Sequence, residues 1–184
     1  SGGGGSRGRI YVYDYSDSAD DWDLKGQYLD GINNDDWQGT SVDLSSDGNI
    51  LAIGSDGHDT SGRNAGMVRV YQMVDSVWVQ YGNSIYGEAE SDQLGAGQIS
   101  LSSAGNMLAV GGNNNETDKG KAYLYRFIDG AWEMVHQAEG NAAGDHFGFS
   151  VNVSGDGSLF AAGGPRIGTS ERRPSYVHIF SVNL

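Results

Sequence analysis

A chain of 184 residues with 30 Gly, 2 Pro, no Cys and a net charge of −13 is long enough for one domain with a real core. Its acidity repels a phosphate backbone and so excludes general nucleic-acid binding; the plain role of the charge is solubility, and the sharper readings are a basic partner or a cation-rich medium. Disulfides are excluded, and no apolar run is long enough for a membrane span or has the form of a signal peptide, so no direct membrane insertion is expected.

The chain opens on Ser1-Gly-Gly-Gly-Gly-Ser6, either a linker or a native Gly-rich loop. Within residues 1–8, Gly3-x-Gly5-x-x-Gly8 formally matches a dinucleotide fingerprint. That motif must follow a strand and open a helix, and here it leads into Ile10-Tyr-Val-Tyr13, so it is rejected. A first strand is predicted over 9–15 and a second from Trp22 to Leu29. The phrase Ser41-Val-Asp-Leu-Ser-Ser-Asp-Gly-Asn-Ile-Leu-Ala-Ile-Gly54 follows. It predicts strand A at 42–45, an Asp-Gly hairpin turn, and strand B at 50–53, apolar throughout as for a strand covered on both faces. A polar loop over 55–66 leads to strand C at 67–73 and strand D from Val77 to Tyr81.

The same unit returns with strands at 99–102, 107–110 and 121–127, and again at 150–153, 159–162 and 176–181. Its phrases are Gln98 to Gly111 and Ser150 to Gly163, interleaved with Val68-Arg-Val-Tyr71, Ala122-Tyr-Leu-Tyr125 and Val177-His-Ile-Phe180. The period of roughly 52 to 58 residues suits propeller blades. The fold class expected is therefore all-β, with blades of four antiparallel strands. Residues 9–31 form a partial blade, 36–87 and 92–140 full blades, and 145–184 a second partial one. Small residues (Gly39, Ala52, Gly54, Ala109, Gly111, Ala161, Gly163) fit the crowded axis, and Trp22, Trp78 and Trp132 are expected to fill the gaps between blades. About three blades' worth of strands fall short of the four to eight that close a ring. Unless the Trp22–Leu29 strand completes the last blade, the arc presents edges and apolar faces that invite pairing with a protein partner or with itself.

Phe147-Gly-Phe-Ser-Val151, Asp156-Gly157 and Ala162-Gly-Gly-Pro165 resemble the FG-GAP repeat of integrin-alpha-type β-propellers. Weaker copies run Gln38-Gly-Thr-Ser-Val42 with Ala52-Ile-Gly54, and Leu94-Gly95 with Ala109-Val-Gly-Gly112. The resemblance covers nearly the whole chain after residue 8. It implies a seven-bladed ring used for protein or matrix recognition, in an extracellular or organelle-lumenal setting, with a calcium loop between strands A and B. Here those turns keep only Asp47-Gly48 and Asp156-Gly157, the middle one is Ala104-Gly105, and the last family carboxylate is replaced by Leu51, Leu108 and Phe160. Calcium needs six to eight oxygens, so no metal and no cofactor are expected at these turns.

Asp36, Asp92 and Asp145 each precede a Gly by three residues. They are assigned as structural carboxylates that accept turn N–H groups. The acidic runs Asp17 to Asp23 and Asn33 to Asp36 lack calcium-loop spacing, and the four His share no ligand spacing. There is no Gly-x-Ser-x-Gly elbow and no cysteine nucleophile, so no catalytic residue is assigned. Candidate binding residues lie on the variable B–C loops: His58, Asp59 and Arg63; Asn115 and Asp118; Arg166, Arg172 and Arg173. Asn115-Glu-Thr117 is a possible glycosylation site, whereas Asn152-Val-Ser154 falls inside a strand. The function expected is a non-enzymatic interaction or adhesion-type module. The alternatives are a structural subunit whose partner completes the propeller, and an enzyme with a site at the propeller mouth.

Overall fold

The computed structural model describes residues 6–112, 119–165 and 174–182. Among them there is no helix; sixteen strands form antiparallel sheets in chain order. The leading partial blade holds β1 (Arg9–Ile10), β2 (Tyr13–Ser16), β3 (Asp21–Leu24) and β4 (Leu29–Asp30). Here β1 pairs with β4 and β2 with β3. The expected strand over 9–15 is thus broken at Tyr11–Val12. The second blade runs β5 (Val42–Leu44), β6 (Ile50–Ser55), β7 (Met67–Val74) and β8 (Val77–Gln80), with β9 (Ile85–Tyr86) returning to β7. The third is β10 (Leu94–Leu101), β11 (Met107–Gly112), β12 (Lys121–Ile128) and β13 (Ala131–Glu139). The last has three strands, β14 (Ser150–Val153), β15 (Leu159–Gly164) and β16 (Tyr176–Ser181).

The core lies between the blades. Strand side chains alternate faces, so each B strand serves two joints. Leu51 and Ile53 of β6 pack with Leu29, Tyr71 and Trp78 toward the leading blade. Ile50 and Ala52 of the same strand pack with Leu94, Ile99 and Trp132 of the next. One joint further on, Met107, Ala109, Ala122 and Leu124 meet Phe147, Val151, Phe160 and Ala162. Inner strands are stitched at one repeat position: Asp43 Oδ2 accepts Leu101 N–H at 2.7 Å, and Ser100 Oγ accepts Val153 N–H at 3.3 Å.

The FG-like dipeptides gain a physical role. Gln38, Leu94 and Phe147 are buried knobs. Their N–H groups donate to Arg7, Ala65 and Lys119 carbonyls, which lie two residues before strand C. The glycine after each is left-handed (φ 100, 86 and 90°), a conformation that costs glycine little. Where the other copies carry an apolar knob, Gln38 hydrogen-bonds the buried Arg69 guanidinium and donates to Leu29 O at 2.8 Å.

One packing assignment is corrected. Trp78 and Trp132 are 3% and 4% exposed, but Trp22 is 61% exposed, with no described strand packed over it. Nor does the Trp22–Leu29 segment complete the last blade: it pairs within the leading one, and β16 pairs only with β15. The described strands form an open arc.

Candidate functional site

Asp36, Asp92 and Asp145 are buried in three equivalent turns. Asp36 Oδ2 accepts Asn33 N–H at 2.7 Å, Asp92 Oδ2 accepts Glu88 and Ala89 N–H at 2.8 Å each, and Asp145 Oδ2 accepts Ala142 N–H at 2.9 Å and the Tyr176 hydroxyl at 2.8 Å. The residue after each is left-handed: Trp37, Gln93 and His146, with φ 52, 48 and 47°. These carboxylates tie down strained turns ahead of the knobs, in different blades.

His58 is buried, not displayed on its loop. Its Nδ1 lies 2.9 Å from Asp36 Oδ1 and its Nε2 2.7 Å from Thr60 Oγ1, while the ring stacks on Tyr86. This Asp–His–Thr chain has the connectivity of a relay that activates a hydroxyl. The same turn forms at Asp92 without any histidine, however, so the chain's evident work is to pin the 55–66 loop to the blade. Asp59 Oδ1 is likewise spent on Asn64 N–H at 2.7 Å. Of this loop's candidates only Arg63 stands exposed beside Asp59. Asn115, Asp118, Arg166, Arg172 and Arg173 lie outside the described residues. Asn152, of the other sequon, lies within β14.

Among the described residues no three His, Asp or Glu side chains gather as a ligand set. The A–B turns use their carboxylates locally. Asp47 accepts Ser45 Oγ and Asn49 N–H. Asp156 accepts Ser154 Oγ at 2.6 Å and the Ser158 N–H and Oγ at 3.0 and 2.8 Å, and these bonds hold its pKa at about 2, below the ordinary 3.8. A depressed carboxylate adds stability that is complete above the unfolded pKa and is lost as pH falls through the folded one. An NMR titration of Asp156 should therefore give a midpoint near 2, and Asp156→Asn should flatten the acid dependence of stability between about pH 4 and 2. A midpoint at the ordinary value would count against the turn geometry. The group is at the surface, so the effect is small and weakened by salt.

The surfaces that stand out are the two ends of the arc. On the leading end Tyr11, Tyr13, Tyr15 and Trp22 are exposed, whereas their repeat equivalents Tyr123, Tyr125 and Trp132 are buried and Phe127 packs against the core. Beside them an open groove of about 590 Å³ is lined by Ile10, Val12, Val42, Leu44 and Leu51. Val42 and Leu44 are exposed although their equivalents Ile99 and Leu101 are buried. On the trailing end Val177 and Ile179 of β16 are 63% and 69% exposed, where Val68 and Val70, and Ala122 and Leu124, are fully covered. Sequence reasoning foresaw unpaired edges but placed Trp22 in a filled gap. The signal that identifies these residues is the repeat register itself, counted outward to the first and last described blades.

No family model matches this chain, and no curated protein matches it. Solved structures do. KlAtg21, solved in complex with the coiled coil of AgAtg16, superposes with a TM-score of 0.61 at 16% identity over 94% of this chain and 47% of that one. Two proteins described as 6-phosphogluconolactonases, from Bacteroides uniformis and Bacteroides fragilis, give TM-scores of 0.56 and 0.55. They are 15% and 12% identical over 84% of this chain, and 40% and 41% of their own lengths are covered. The chain spans less than half of each of these structures, and the likeness establishes a propeller-type fold.

Proposed function

We propose that this chain is a non-enzymatic protein-interaction module of FG-GAP-like propeller blades, working through the ends of its arc. One observation carries the reading. Residues that each joint buries completely in the middle of the arc are bare at its trailing end, where Val177 and Ile179 stand out on β16, the last of the described strands in its sheet. Contiguous apolar surface on the outermost strand of a sheet is a docking face for another protein. The complex of KlAtg21 with a coiled coil supports protein recognition by such a fold in general terms. The phased FG-like knobs support the family assignment, and an extracellular or lumenal setting is proposed on that resemblance alone. The same faces would serve a structural subunit whose partner supplies further blades. A fixed stoichiometric complex would favour the subunit.

In light scattering, the chain should associate as its concentration rises, with β16 amides protected from hydrogen exchange in the associated form. Val177→Lys with Ile179→Lys should leave a folded monomer whose β16 amides exchange freely. A wild-type chain that stays monomeric with β16 exchanging freely would overturn the proposal.

A further inference from the structure

The two complete joints share one device. Trp78 Nε1 donates to Lys25 O at 2.8 Å, its N–H donates to Gln27 Oε1 at 2.9 Å, and its carbonyl accepts from Gln27 Nε2 at 2.8 Å. Trp132 repeats this on the next loop: Nε1 donates to Tyr81 O at 2.8 Å and its N–H to Asn83 Oδ1 at 2.7 Å. Between carbonyl and amide sits a left-handed glycine, Gly26 or Gly82 (φ 74 and 82°). A Cβ there would lie 2.9 Å from Cδ1 of the tryptophan, with Met73 or Phe127 on its other side. The tryptophan and its strand-C neighbour act as a jaw, and a residue–Gly–Gln/Asn loop from the preceding blade is what it grips.

The leading blade carries the same jaw, already set. Tyr15 and Trp22 meet edge-on at 5.3 Å and 62°, against 5.4 Å and 61° for Phe127 and Trp132. Among the described residues no loop is in its grip: both rings are exposed, and the Trp22 N–H turns to its neighbour's Asp21 Oδ1 at 2.8 Å. Among the described residues a second copy has no free loop of this kind at the matching place in the repeat. Its Gly26 and Gly82 loops are filled by its own Trp78 and Trp132. In the third blade Val135-His136-Gln137 replaces the glycine, and β13 continues through it with a bulge at Val135.

We infer that Tyr15 and Trp22 are the docking jaw for a preceding repeat of the same polypeptide, one whose outer strand ends in a Gly–Asn or Gly–Gln loop. The gripped carbonyl lies 53 and 51 residues upstream of the tryptophan in the two filled joints. A stretch of that length would also carry the A and B strands of the leading blade, which the groove at Ile10, Val42 and Leu44 accepts. The inference rests on the reading that the arc's ends are docking faces, but it concerns the leading end alone.

The test replaces residues 1–8 with a copy of residues 21–66, so that the duplicated Lys25-Gly26-Gln27 loop arrives at Trp22 in register. Oxidation of Trp22, followed by mass spectrometry, should slow about tenfold or more in the extended chain. Changing the duplicated Gly26→Val should restore the original rate. Trp22→Ala should leave the melting temperature of the present chain unchanged and lower that of the extended one. Trp22 oxidised at the original rate in a folded extension would overturn the inference. So would an extension whose added strands exchange freely, since the groove would then reject the repeat's own A and B strands. Protection of Trp22 in the unextended chain on raising its concentration would overturn it in favour of a second copy. None of these results bears on association through β16.

Discussion

Trp132→Ala should destabilise the chain by about 3–5 kcal/mol, and Trp22→Ala by less than about 0.5 kcal/mol. The two residues occupy the same place in the repeat, and intrinsic propensity cannot separate them. What differs is the joint. Trp132 is buried, stacked edge-on against Phe127 and Tyr81, and bonded to Tyr81 O and Asn83. Truncation leaves a cavity between two blades and strips the half-buried Tyr81 carbonyl of its donor, two penalties that add. Trp22 projects into solvent, so its loss removes little buried area. Denaturant melts of both variants check this. Equal costs would mean that the leading end is covered, and that the open-arc description is wrong.

The second large effect concerns glycine. Gly111→Ala should cost about 3 kcal/mol, while Gly163→Ala should cost less than about 1 kcal/mol. A Cβ on Gly111 would fall 1.9 Å from Gly148 O in the following blade. That oxygen cannot yield easily. Gly148 is left-handed, its N–H donates to Gly163 O at 3.0 Å, and Lys121 O lies 2.0 Å from where its own Cβ would stand. The blades must part to admit one methyl group. Gly163 holds the same repeat position in the last described blade, and the first atom a Cβ there would meet is the rotatable Ser150 Oγ at 2.7 Å. Melting temperatures decide it, and a tolerated Gly111→Ala would refute the close approach of the inner strands.

Much of this was legible in the sequence because it is local and repeated. Alternation and Asp-Gly turns located strands A and B, and β6 and β11 prove buried along their whole length, as continuous apolar runs require. Three phased copies set the order of the blades. Asp36, Asp92 and Asp145 were recognisable as turn carboxylates, since an aspartate near a glycine has local N–H groups to accept. His58 was not recognisable as buried: its partners Asp36 and Tyr86 lie far along the chain, and no local pattern announces a histidine turned inward.

The sequence by itself determined the unit: which residues alternate, where each hairpin turns, that the A and B strands carry small residues at the axis, and that three copies carry a tryptophan near the outer edge. Only the tertiary structure decided what each copy of a position does. Burial in a propeller belongs to the joint between two blades, not to either blade alone. The same tryptophan is therefore core at 78 and 132 and open surface at 22, and the same glycine faces backbone of the next blade at 111 and only its own blade at 163. Repeat periodicity specifies the interlocking parts, but it is the presence or absence of a neighbouring blade that takes their apolar faces out of water.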